Sequence, residues 1–154
     1  MRVLEPPQPL DVADDERSVF LAGSIDLGNA IDWQAEIIAA LADQAGVVFN
    51  PRRRAWDASW PQAIDFAPFR EQVEWELTAQ ERASIIAMYF APASQAPITL
   101  FELGLFARSG RLVVCCPDGY WRKGNVEIVC ARFHVTLVHE WSAFVSTLRA
   151  RLQS

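Results

Sequence analysis

The chain is short of several features that would place it at once. It holds three cysteines, Cys115, Cys116 and Cys130, an odd number with two adjacent inside an apolar run. That is no secreted disulfide framework; it reads as reduced thiols in the core of a cytoplasmic protein. The only histidines are His134 and His139, and no zinc-ligand spacing appears. Basic residues are in deficit: the net charge of −5 argues against the basic face by which a protein holds a nucleic-acid polymer. No apolar run approaches the ~20 residues of a membrane span, and no charged-then-apolar signal pattern opens the chain. The dinucleotide fingerprint G-x-G-x-x-G is missing too. The expectation is one cytoplasmic domain of 154 residues, long enough to bury a core.

What is present is an alternation of strand-like and helix-like runs. Residues 1–17 carry Pro6, Pro7 and Pro9 and then three acids, Asp14, Asp15 and Glu16, and read as an extended or poorly ordered arm. The domain proper is expected over residues 18–154. Apolar runs at Ser18–Ala22, Val47–Phe49, Ser84–Phe90, Leu112–Cys116 and Val135–Val138 predict five strands. Between them, Trp33–Ala42, Phe69–Arg82, Thr99–Arg108, Asn125–Arg132 and Trp141–Leu152 have helical patterning. Apolar strands joined by helices make right-handed βαβ units. The predicted fold is a flavodoxin-like, Rossmann-like, doubly wound α/β domain. Its sheet would be five-stranded, parallel and ordered 2-1-3-4-5, with helices on both faces.

Ligands of such sheets bind beyond the carboxyl ends of the strands, which selects the segments to inspect. After the first strand come Gly23, Ser24 and Asp26, either a tight turn or a loop that a ligand approaches closely. Asn50, Arg52 and Arg53 follow the second strand, with Trp56 and Trp60 beyond. The arginines can grip a phosphate or form a solvated patch; the tryptophans can stack on a base or pack.

Two carboxylates stand out. Glu102 lies in Ile98–Phe106, a helix apolar on every side and so expected to be buried all round. A glutamate there is costly unless paired or functional. Thr99-x-x-Glu102 also has the spacing of a capping box, and a helix N-terminus favours the ionised form. On the preceding helix, Phe69, Gln72, Val73, Glu76, Leu77 and Gln80 share a face, which sets polar Gln72 and Glu76 in an apolar stripe. Two carboxylates from different elements, one attacking and one handling protons, are the usual equipment for retaining cleavage of a glycosidic bond.

These residues resemble a family. Phe20-Leu21-Ala22-Gly23-Ser24, Trp75-Glu76 before Ser84-Ile85-Ile86-Ala87-Met88-Tyr89, and Phe101-Glu102-Leu103-Gly104 before Arg111 are similar, in that order, to segments of nucleoside 2-deoxyribosyltransferases. With Asn50-Pro51-Arg52-Arg53 and Trp121-Arg122-Lys123-Gly124-Asn125, the pattern looks most like the deoxyribosyltransferase-like branch of phage and bacterial genomes. The resemblance implies cleavage of the N-glycosidic bond of a deoxynucleoside or nucleotide, a small-molecule substrate. Glu102 would be the nucleophile and Glu76 the acid that orients the sugar and moves protons. A second base, or water, would accept the sugar. Asn125 would reach into a neighbouring subunit, so a homo-oligomer is implied; a metal or organic cofactor is not. The family's transferases carry a further aspartate shortly before the nucleophile, where this chain has Ala96. That departure, with the arginines, keeps a 5'-monophosphate or NAD N-glycosidase and a non-catalytic nucleotide-binding module as alternatives.

Overall fold

The computed structural model describes residues 1–13, 15–24 and 32–154. In chain order the elements are β1 (Arg2–Leu4), β2 (Ser18–Gly23), α1 (Trp33–Ala40), β3 (Val47–Phe49), α2 (Ala67–Arg82), β4 (Ile85–Tyr89), α3 (Pro97–Phe106), β5 (Leu112–Cys115), α4 (Lys123–Phe133), β6 (Thr136–Val138) and α5 (Trp141–Gln153). The strands form one parallel sheet in the order β1-β3-β2-β4-β5-β6. The fold is the expected flavodoxin-like α/β architecture with one correction: the sheet has six strands, not five. The five predicted strands keep their order and β1 joins at the edge, Arg2, Val3 and Leu4 pairing with Val47, Val48 and Phe49.

Alternation along the strands builds two cores. Phe20 and Ala22 of β2, Ile86 and Met88 of β4 and Val114 of β5 point to the layer that holds Trp75 and Ala79 of α2, Leu103 of α3 and Val126 of α4. Val19, Leu21, Ile85, Ala87 and Val113 point the other way, to Trp33 and Ile37 of α1 and to Phe144 and Leu148 of α5. Burial on both faces explains why the strands read as continuous apolar runs.

The segment read as an arm is bound to this framework. Leu4, Leu10 and Val12 pack on the α2-side core. Trp75 Nε1 donates to Gln8 O (2.8 Å) and Arg82 Nη1 to Leu10 O (2.6 Å). A three-residue strand followed by two prolines carries too little periodicity to be read from sequence.

The chain leaves β2 toward β3 on one side and returns to β4 on the other. In open α/β sheets such a reversal is where ligands bind, beyond the carboxyl ends of the two strands, here β2 and β4. The loop after β4 leads directly into α3.

Candidate active site

The start of α3 decides where Glu102 points. Pro97 takes the first helical position, where its fixed φ suits the helix and its missing N–H leaves nothing unpaired. Ala96 is the N-cap, left-handed at φ 43°, without a capping side chain. Thr99 therefore lies inside the helix, and the capping-box spacing is out of register with the real N-terminus. The α3 helix is also not buried all round: Thr99, Glu102 and Leu103 face inward, whereas Ile98, Phe101 and Leu105 are 64%, 62% and 51% exposed. Glu102, at 7% exposure, belongs to the inward face.

Opposite it runs α2. Its buried residues are Gln72, Trp75, Ala79 and Gln80, so the buried stripe takes in Trp75 and Ala79 beside two members of the face expected from the periodicity. Along one side stand Gln72, Glu76 and Gln80 at successive helical turns. Gln72 Nε2 donates to Glu76 Oε1 (2.7 Å) and to Pro51 O (2.8 Å). Gln80 Nε2 donates to Glu102 Oε1 at 2.5 Å across the gap between the helices. The amide oxygens of Gln72 and Gln80 are buried with no hydrogen-bond partner among the described residues.

Burial pushes the Glu76 carboxyl up to about 7, against the pull of the Gln72 hydrogen bond. Glu102 is pushed up to about 7 first by burial and then by the nearby Glu76 charge, with the Gln80 bond opposing both. The expectation that the helix N-terminus would keep Glu102 readily ionised does not hold. Glu102 lies beyond the first turn from Pro97, where the dipole has faded. Two carboxyl groups raised toward neutrality by burial, Glu102 also by the Glu76 charge, have the properties that nucleophilic attack by one and proton transfer by the other require.

The backbone beyond β2 and β4 is tightly tied. A Cβ on Gly23 would lie 2.6 Å from both the Trp33 ring and Tyr89 O, so this glycine serves the packing of β2 on its neighbours. Ser24 Oγ and Ser94 Oγ are hydrogen-bonded at 2.7 Å, and Ser94 Oγ donates to Ala91 O (2.8 Å). This pair ties the loop after β2 to the loop that enters α3. Gln95 O accepts from Tyr120 Oη (3.0 Å) and Trp121 Nε1 (3.1 Å). Asp26 lies outside the described residues.

The remaining candidates are placed as follows. Asn50 is buried, with Oδ1 accepting from Arg52 N (3.2 Å) and Nδ2 donating to Glu5 Oε1 (3.3 Å). Arg52 Nε meets Gln34 Oε1 (3.0 Å) and Asp32 Oδ1 (3.3 Å). Arg53 pairs with Glu71 (2.8 Å) and lies over the Trp60 ring. Arg54 pairs with Glu5 (3.0 Å). Trp56 packs on Trp60 and Phe69, at centroid distances of 5.2 and 6.4 Å. Asn125 is exposed on the first turn of α4. The sequence candidates brought together are thus Glu102, Glu76 and Gln72. Gln80 was missed, although its place one turn beyond Glu76 was the available signal.

The fold is an open parallel α/β sheet flanked by helices, with Glu76 partly buried on α2 and Glu102 buried on the facing α3. Residues 16–120 match the family model described as nucleoside 2-deoxyribosyltransferase like, and the chain belongs to that family. The match takes in Glu76 and Glu102 and stops before Asn125. A search of curated proteins finds no match to the chain.

Proposed function

We propose that the protein cleaves the N-glycosidic bond of a 2'-deoxynucleoside through a covalent ester on Glu102. The ionised carboxylate attacks C1' of the sugar, the C1'–N bond breaks, and its electron pair leaves with the base. Glu76, holding a proton near neutral pH, supplies it to the departing base. Water or a second base then attacks C1' and frees Glu102. The observation that carries this reading is the inward-facing Glu102, 7% exposed and next to Glu76.

The arginine pairings favour an unphosphorylated sugar. Arg52, Arg53 and Arg54 each face a carboxylate of the chain itself, which leaves less positive charge for a phosphate. A homo-oligomer is part of the reading, supported by the exposed apolar face of α3. Cys115, Cys116 and Cys130 are buried, and burial pushes their thiols up to about 12, 11 and 12. Inert thiols of this kind fit a cytoplasmic protein.

The test is a chromatographic screen of nucleosides, their 5'-monophosphates and NAD, with and without an acceptor base. Free base from a deoxynucleoside is expected, and none from a correctly folded Glu102→Ala variant. A wild-type protein that frees no base from any of these would end the proposal.

A further inference from the structure

Gln80 is wholly buried in the α2-side layer of the core, and the reaction above gives it no part. Ala79 on α2, Ala83 at its C-cap, and Leu103, next to Glu102 on α3, belong to the buried apolar layer. A side chain that buries an amide there, with its oxygen unpaired among the described residues, costs stability that leucine or methionine would spare. Among the described residues the amide makes one hydrogen bond, the 2.5 Å donation to Glu102 Oε1.

The backbone beneath it is clamped. Arg111, just ahead of β5, donates Nη1 to Gln80 O (2.6 Å), Glu81 O (3.1 Å) and Ala83 O (2.7 Å). Those carbonyls end α2 and would otherwise lack partners. The last turn of α2 is thereby fixed to the sheet, and Gln80 with it.

We infer that Gln80 is a positioning residue for Glu102: it ties down Oε1, leaves Oε2 as the attacking oxygen, and favours the ionised carboxylate inside the core. This rests on Glu102 being the nucleophile. An N–H donor favours the charged form of a carboxylate. An amide also neither gains nor loses a proton at neutral pH, so the bond persists through the cycle. While Oε2 is bonded to C1', Oε1 is the ester carbonyl oxygen and still accepts from Gln80. When the second nucleophile breaks the C1'–Oε2 bond, the same donor receives the returning negative charge.

The test is Gln80→Met, which keeps the length of the side chain and removes the donor. Its kcat is expected to fall on the order of 100-fold with KM little changed, and the acid limb of the pH–rate profile to move to higher pH. A merely structural role would move neither limb. Independently of turnover, the Glu102 carboxyl is titrated by carbon NMR in glutamate-labelled protein, the resonance being assigned with Glu102→Gln. It is expected to titrate at higher pH in Gln80→Met. Gln80→Leu is the second variant should the methionine not fold. An unshifted Glu102 titration in a folded variant overturns the inference, whatever the wild type does. A shifted titration in a protein that frees no base sinks the nucleophile reading and leaves the anchoring in place.

Discussion

Near neutral pH the Glu76–Glu102 pair binds protons that the unfolded chain would have released, because both groups are raised from an ordinary 4.5 to about 7. Where the folded state holds more protons, stability falls as pH rises. The penalty is absent below about 4.5, grows up to about 7 and is constant above. Replacing Glu102 by Gln removes a buried charge without removing volume. Calorimetry is therefore expected to show Glu102→Gln more stable than wild type at pH 8, by about 3 kcal/mol, and little different at pH 4.5. The reverse ordering would mean that the carboxylate is stabilised by its site. Activity has the opposite needs: an ionised nucleophile and a protonated acid. The pH–rate profile is expected to be a narrow bell around neutrality, its limbs belonging to the pair rather than to either residue. Glu102 was legible in the sequence because a glutamate inside an apolar helix is anomalous by itself. Gln80 was not, because a glutamine near a helix end looks like any polar fringe until the second helix is in place.

At the scale of elements, the segments that misread were those whose partners are distant or whose signals are short. The strand β1 has three residues and pairs with Val47–Phe49, more than forty positions away in the chain. Its removal would break that ladder and uncover Leu4, Leu10 and Val12 contacts with the core. Deleting residues 1–12 is expected to lower the unfolding free energy by on the order of 3 kcal/mol, measured by urea titration. Red-shifted Trp75 emission should accompany it, since the indole loses Gln8 O; an unchanged midpoint would show that the segment is ornamental. The start of α3 is the other case. The apolar run suggested a helix from Thr99, whereas Pro97 begins it and Ala96 takes the left-handed cap. Aspartate tolerates that backbone better than alanine and can accept an N–H as an N-cap. Ala96 is 9% exposed and packs in the α2-side core, where a carboxylate costs more than the relieved backbone returns, so Ala96→Asp is expected to fold with modestly lower stability than wild type. It would also restore an acid where the family's transferases have one. The ratio of exchanged nucleoside to free base, measured with an acceptor present, is expected to rise severalfold; a ratio no higher than wild type would show that the missing acid does not limit transfer.

The whole molecule explains why α3 looked buried on every side and is not. Sequence periodicity reports that a face avoids water, not whether its own chain or another copy covers it. Ile98, Phe101 and Leu105 form one exposed stripe on α3, and Trp121 and Ile128 are exposed at α4. Both helices lie on the same side of the sheet, since Leu103 and Val126 share a core. Exposed apolar surface is what an association site requires, and the proposed oligomer would use it. Asn125 stands exposed on the same helix as Ile128, and in the proposed oligomer it would reach a neighbour's site. Phe101→Asp is then expected to give a monomer by light scattering, with helix content intact and turnover lost. Complementation separates a shared site from simple loss of stability. Glu102→Gln and Asn125→Ala, each inactive alone, should recover activity when dissociated together and reassembled. In a two-fold dimer, half of the particles are mixed and each holds one complete site, so recovery of about a quarter of wild-type turnover is expected. If the mixture stays as inactive as its parts while light scattering shows that the subunits have exchanged, Asn125 serves its own chain, and each site is complete without a partner.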